Sequence, residues 1–207
     1  MRQNPARRTA LLDAAIEVLA REGSRGLTLR AIDAEAGVPG GTASNYFANR
    51  GDLLAQVMRR TRERLVPDPV VLAKTLRRAP DQALAADLMR DLLARMRGDR
   101  ASNLAMLELR LEATRRPELH AELSEFLTAE HRENIDYHVE AGLPGGRTGV
   151  ALLYFAMLGI VIDDLTVPEI TAAYSTDDLI GELAVRLLPD GVGTPTPDDG
   201  PPAGTGA

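Results

Sequence analysis

Between residues 28 and 50 the chain gathers Thr28, Arg30, Thr42, Ser44, Asn45, Tyr46 and Arg50 around a breaker-rich run, Gly37-Val38-Pro39-Gly40-Gly41. No nucleophile motif, phosphate-cradling loop or paired-carboxylate constellation stands out here or elsewhere, and no enzyme is expected. What these groups offer is hydrogen bonding. An Asn amide pairs with an adenine edge and an Arg guanidinium with guanine, while hydroxyls reach bases or phosphates. Thr42, Ser44 and Asn45 are the candidates for reading bases, with Asn45 suited to adenine and Thr42 to a base or a phosphate. Capping or plain solvent exposure is the competing account of each.

Such side chains need a scaffold that presents them together, and residues 27–54 predict one. Thr28 stands where a helix N-cap would, and Leu29, Ile32 and Ala36 give a second short helix its buried side. Gly37 follows at a position that favours a left-handed backbone. Pro39 then suits the first turn of a third helix, expected to reach about Phe47, a core residue. Asn49 caps a fourth helix with Asp52 at its N3 position, and Leu53, Leu54, Val57 and Met58 carry its inward face to about Leu65. A first helix over residues 6–22, with Leu11, Leu12, Ala15, Ile16 and Leu19 at helical spacing, ends at Glu22-Gly23. Two short helices about a tight turn form a helix-turn-helix, which places its second helix in the DNA major groove. The filling of that helix, Gly40, Gly41, Ala43, Ser44 and Asn45, permits close approach to bases and supplies few long contacts.

Composition sets the wider frame. The chain has 207 residues, of which 44% are hydrophobic, enough for one large domain or two small ones with a real core. Leu, Ala and Val dominate, aromatics are few and Trp is absent, which favours an all-α fold. There is no Cys, so disulfides, thiol catalysis and Cys-based metal sites are excluded. Residues 1–64 carry 11 Arg and 7 acids, a balance of +4; the remaining 13 Lys and Arg against 23 acids give −10. That split suits a basic reader of phosphate on an acidic body. Arg2, Arg7 and Arg8 form a basic arm that either reaches flanking DNA or is a solvated terminus. It leads into no signal-like apolar core, and the longest nearly unbroken apolar run, Val150 to Ile162, is 13 residues, short of a bilayer span. A cytoplasmic location is expected.

Val66-Pro67-Asp68-Pro69 breaks the pattern before the body. Helices are expected over 70–78, from Pro80 to Arg97, Ser102 to Arg116, Pro117 to about Ala141, Arg147 to Leu165, and from a Thr176 cap to Leu188. Residues 189–207, rich in Pro, Gly, Thr and Asp, read as a disordered tail. The domain expectation is a DNA-binding unit over 1–50, a ligand-binding and dimerisation unit over 51–188, and that tail.

The residues Thr28-Leu29, Ile32, Gly37-Val38, Gly41-Thr42, Tyr46-Phe47 and Arg50 with Leu53-Leu54 give the chain a resemblance to the TetR family of transcriptional regulators, over about residues 8–65. The stretch Leu107 to Leu119 resembles bodies common among actinobacterial members. The chain departs from the family pattern at Asp33, where Ala is usual, at Gly40, and at Ser44-Asn45, which replace large aromatics. The resemblance implies a three-helix DNA-binding head, a helical body and about nine helices in all. It implies that Tyr46 and Arg50, with Thr28 and the helix N-terminus behind Arg50, hold backbone phosphates, and that Arg30 reaches a base or phosphate. Tyr46 packed inside the head, and Arg30 as a solvated surface residue, are the competing accounts.

The resemblance also implies a small-molecule site in the body and a two-fold dimer. Met89, Leu92, Met96, Leu104, Leu107, Glu108, Leu111, Phe126, Tyr154 and Met157 are the candidate lining, against plain core packing. Glu108 needs a partner if it faces inward: an Arg such as Arg115 or Arg132, the favoured reading, or a cationic ligand. His120, His131 and His138 read as surface residues, and no metal or cofactor is expected. Leu152, Phe155, Leu158 and Ile162 of one helix, with Leu179, Ile180, Leu183 and Leu187 of the last, are the expected dimer seam. The implied function is a homodimeric repressor released from a palindromic operator on double-stranded DNA by a small-molecule effector. The alternative is a small-molecule sensor or carrier without specific operator binding.

Overall fold

The structure, a computed structural model, describes residues 4–189. Arg2 of the basic arm and residues 190–207 of the expected tail lie outside the described residues. Among the described residues there are ten α-helices, one 3₁₀ turn and no strand. Helix α1 (Pro5–Gly26) opens on Asn4, whose side chain accepts from the Ala6 and Arg7 amides. It is two helical stretches joined at Gly23, whose φ of +68° and ψ of −176° only glycine adopts readily. Helix α2 (Leu29–Glu35) and the 3₁₀ turn Ala43–Asn45 complete the front of the head. Helix α3 (Arg50–Leu65) has the expected cap: Asn49 Oδ1 accepts from the Asp52 amide at 2.9 Å, and Asp52 Oδ2 accepts from the Ala48 amide at 2.9 Å.

The body follows as α4 (Pro69–Thr75), α5 (Gln82–Gly98), α6 (Arg100–Ala113), α7 (Pro117–Glu140), α8 (Gly146–Thr166), α9 (Pro168–Ala172) and α10 (Thr176–Leu187). Several ends differ from expectation because a short acid or hydroxyl outcompetes its neighbour for the capping place. Asp81 rather than Pro80 fixes the start of α5, Asp99 starts α6 earlier, and Ser175 rather than Thr176 caps α10. Helix α9 falls between the two last expected helices, where Pro168 starts a short helix.

Two apolar cores hold the chain. In the first, Leu11, Ile16, Leu19, Ile32, Phe47 and Leu54 of the head pack with Ala105 and Leu109 of α6 and Leu119 and Leu123 of α7. The second joins α5, α8 and α10 through Leu84, Leu93, Leu153, Met157, Val161 and Ile180. Helix α3 is tied outward by Arg60 to Asp13, Arg62 to Glu133 and Arg64 to Asp99.

Helix α8 is apolar all round, as expected. Its Leu153, Met157 and Val161 face the second core, while Leu152 and Phe155 stay 50% and 61% exposed. At 21 residues it is longer than its 13-residue apolar run, and by length and composition it could cross a membrane, a property shared by core helices. On the seam expected from α8 and α10, Leu158, Ile162, Leu179, Leu183 and Leu187 are partly buried. Ile180 is the correction: only 1% exposed, it belongs to the protomer's own core against α5.

Candidate nucleic-acid interface

Thr28 caps α2 as expected, its Oγ1 accepting from the Ala31 amide at 3.1 Å. Arg30, in the first turn of α2, is exposed. Gly37 takes the left-handed conformation, φ +62°, and the chain turns there toward the segment that bears the candidate base-reading groups.

That segment is not the helix expected from Pro39 to Phe47. Only Ala43–Asn45 is helical, as a single 3₁₀ turn. Gly41, at φ +87°, breaks any helix begun at Pro39. The side chains then take the carbonyls that a helix would use. Thr42 Oγ1 donates to Pro39 O, and Ser44 Oγ and Asn45 Nδ2 donate to Gly41 O at 2.7 and 3.1 Å. Short polar residues favour such local bonds over helix propagation. Ser44 and Asn45 remain exposed, Thr42 is partly buried, and Ala43 anchors the turn in the first core.

The organiser of this turn is Asp33, a residue to which sequence reasoning gave no role beyond noting it as unusual. It is 2% exposed, and its carboxylate accepts two backbone amides, Gly41 N and Ala43 N, both at 2.7 Å. The carboxylate does for the 3₁₀ turn what an N-cap does for a helix, from another element. The available signal was an acid at the inner end of α2, followed by a glycine-rich turn whose amides had no other acceptor.

Behind the turn lies a brace. The Arg8 guanidinium sits 5.9 Å from the centre of the Tyr46 ring and also donates to Gln56 Oε1. Gln56 passes the chain on to Asp52 Oδ1 at 2.9 Å. The Ala48 amide holds the Asp52 carboxyl below its ordinary value, against a smaller upward push from burial, with Gln56 and Arg8 adding to the stabilisation. Tyr46 is partly buried against the first core, so its ring packs in the head in addition to whatever its hydroxyl reaches.

Arg50 is placed differently from the open phosphate clamp that the resemblance implied. Its guanidinium turns inward and donates to Leu27 O at 2.8 Å, Ser24 O at 2.5 Å and Ser24 Oγ at 2.9 Å, which ties α3 to the end of α1. Burial and the charge of Arg116 press it below its ordinary value, with Glu112 opposing, and its Nε is buried with no hydrogen-bond partner among the described residues. The local carbonyls at the end of α1 attract this cation as phosphate would, and they are nearer.

The ten expected ligand-lining residues fall in different settings. Met96 lines a cavity of about 230 Å³ among α5, α6, α8 and α9. Glu108 lines a different cleft of about 410 Å³ between Gly23 and α6. Met157 is core, Leu111 is exposed, Met89 and Leu104 pack on the second core, and Phe126 packs on the first. Leu92, Leu107 and Tyr154 are partly buried and belong to neither core. Glu108 forms no ion pair among the described residues: Arg115 approaches Glu112 at 3.9 Å instead, and Glu108 Oε2 lies 3.2 Å from where a Cβ on Gly23 would sit. Two of the three histidines are not surface residues. His138 is 6% exposed and bonds Pro144 O at 2.8 Å, and burial lowers its basicity against that bond. His131 lies tilted against Tyr154, ring centres 4.5 Å apart, with its Nδ1 buried. Its neighbour Glu130 is raised by burial, against the charges of Arg62 and Arg110.

Comparison with known proteins places this architecture. Residues 11–57 match the family described as bacterial regulatory proteins, tetR family, and residues 80–190 match the tetracyclin repressor-like C-terminal domain. No curated protein matches the chain. Among solved structures, a member of the TetR family from Streptomyces coelicolor A3 is 29% identical with a TM-score of 0.65, over 89% of this chain and 99% of that one. The multidrug binding protein EbrR complexed with imidazole is 29% identical, TM-score 0.65, over 92% and 99%. EbrR complexed with ethidium is 30% identical, TM-score 0.59, over 90% and 100%. With a C-terminal match spanning more than half of the chain and an N-terminal match on the helix-turn-helix, this protein belongs to the TetR family of regulators.

Proposed function

We propose that the protein is a homodimeric transcriptional repressor that leaves a palindromic operator when a small molecule occupies its body. The observation that carries this reading is the turn at 41–46: a backbone fixed from beneath by the buried Asp33, with Ser44 and Asn45 facing outward and Arg30 exposed on the adjoining helix. A fixed, narrow, small-residue turn beside a guanidinium suits entry into a major groove, with Asn45 and Arg30 reading base edges and Thr28 and Tyr46 holding phosphates, while the Thr42 hydroxyl proton is committed to Pro39 O. The exposed faces of α8 and α10, with Leu152, Phe155 and Val185, supply apolar surface for a two-fold pairing. Pairing would set two heads about 34 Å, or a multiple of it, apart on DNA. The body would hold the effector, the similar EbrR being a multidrug binding protein, and the cytoplasm is where such a regulator meets its DNA.

The test is selection of duplexes from a random-sequence pool, followed by footprinting of the winners. A protected short palindrome is expected. Recovery of no preferred sequence at moderate salt would defeat the repressor reading in favour of a sensor without an operator. Arg30→Ala and Asn45→Ala should each relax preference at one base position; a loss uniform over all sequences would remove them from base reading.

A further inference from the structure

The short turn between α5 and α6 stands between the 230 Å³ cavity and the helix that carries the head. On one side it bears Arg97 and Arg100, both lining the cavity over a floor that includes Leu93, Met96 and Val161. Arg97 Nε donates to Asp164 Oδ2 at 2.6 Å and its Nη2 to Thr176 Oγ1 at 3.1 Å. Arg100 donates to the carbonyls of Asp164 and Leu165 at 3.2 and 2.5 Å, capping the end of α8. On the other side of the same turn Asp99 receives Arg64 of α3 through two parallel bonds, 2.9 and 2.7 Å, while also capping α6.

The chemistry of the cavity is specific. It has an apolar floor and two guanidiniums against one carboxylate, and that carboxylate is already engaged by Arg97 and Thr171. Each guanidinium has five N–H donors, and these bonds use two from each. A cation entering would meet net positive charge. An anion would meet spare donors in the fork geometry that carboxylates fit. The volume lies below the ~300–1,000 Å³ of sites for drug-sized ligands, so the occupant is small.

We infer that this cavity is an effector site for a small amphipathic monocarboxylate, its apolar chain on the floor and its carboxylate held by Arg97 and Arg100. This rests on the reading of the protein as a ligand-responsive DNA-binding regulator and names the ligand class and the route. A bound carboxylate competes with Asp164 and the α8 carbonyls for both arginines. Drawing them away shifts the turn and moves Asp99, which sits between them in sequence. Arg64 follows Asp99, and with it the far end of α3, whose first turn abuts the recognition segment. The ligand acts because it binds one position of the turn better than the other, and DNA and carboxylate therefore weaken each other by one common factor.

The experiment uses the full-length protein, octanoate, and octylammonium as the cation with the same chain length. Calorimetry should show octanoate binding and no octylammonium binding. Arg100→Met and Arg97→Met should each weaken octanoate by about tenfold or more, and Arg100→Lys, which keeps the charge without the fork, should fall between. Melting curves identify any variant that fails to fold. On a duplex chosen by the selection above, octanoate should weaken wild-type binding and have little effect on the Arg100→Met protein. Absence of octanoate binding, equal binding of octylammonium, or octanoate affinity unchanged in both Met variants overturns the site. Octanoate binding with DNA affinity unchanged overturns the effector role. Failure to select any duplex defeats the repressor reading instead, while calorimetry still decides the site.

Discussion

Replacing Asp33 by Ala removes the acceptor of two amides and nothing that touches DNA. Gly41 is exposed, so water replaces the lost bond there at little cost. Ala43 is fully buried, and its amide loses a charge-assisted bond with no water to take its place. A hydrogen bond to a charged group is worth about 1.5–3 kcal/mol, so about 2 kcal/mol is withdrawn from the ordered turn. If the turn must be ordered to bind, the apparent dissociation constant rises by up to about 30-fold, the factor that energy corresponds to. Asp33→Asn, whose amide oxygen can serve one amide only, should fall between wild type and Asp33→Ala. The assay is fluorescence anisotropy of a selected duplex at several salt concentrations, with hydrogen exchange of residues 41–46. The dependence on salt should keep its slope, because no phosphate contact is lost, while the turn exchanges faster. Unchanged affinity, or a flattened salt slope, would refute the role given to Asp33.

Four further outcomes follow from the structure. Burial raises the Glu130 carboxyl, so its folded form is favoured below the ordinary value of 4.5 and that advantage is lost as pH rises through the raised value. Glu130→Gln should therefore melt higher than wild type at pH 7 and show no such gain below 4.5. Burial lowers His138, so its contribution is present above the ordinary value of 6.5 and lost as pH falls through the lowered one; thermal stability should decline on acidification, and less in His138→Gln. Gly23→Ala puts a side chain at φ +68°, with its Cβ 3.2 Å from Glu108 Oε2; the backbone alone costs about 1–3 kcal/mol, seen as a lower melting temperature. For the dimer proposal, Phe155→Glu should sediment as a monomer where wild type sediments as a dimer, since it sets a charge on the exposed face of α8.

The sequence shows most where a local signal has no rival. Thr28, Gly37 and the Asn49–Asp52 pair do as caps and breakers what their types predict, and α3 ends at Leu65 as its apolar spacing requires. Pro39 is a fair helix start and predicts a third helix, but Gly41, Thr42 and Ser44 together offer the backbone better local bonds. Ile180 looked like its neighbours on the seam because one-dimensional spacing gives a helix face and not what covers it; α5 covers that one. Arg50 is of a type suited to phosphate, but the carbonyls at the end of α1 that claim it come 23 and 26 residues earlier in sequence. The cavity beside Arg97 and Arg100 joins four helices, and no spacing within one helix announces it.

The first core has a bearing on how this chain could be taken apart. Ala105, Leu109, Leu119 and Leu123 belong to the body, yet they close the same apolar cluster as Leu11, Leu19 and Phe47. A fragment ending after α3 would bring that half-cluster into water and lose the surface on which α1 rests. For anyone building chimaeric regulators, the portable unit is therefore not the stretch that touches DNA but that stretch with α6 and the start of α7. A head transplanted without its own α6 would need the recipient's α6 to present small residues such as Ala105 and Ala113, which lie buried in the core that α1 and α6 share.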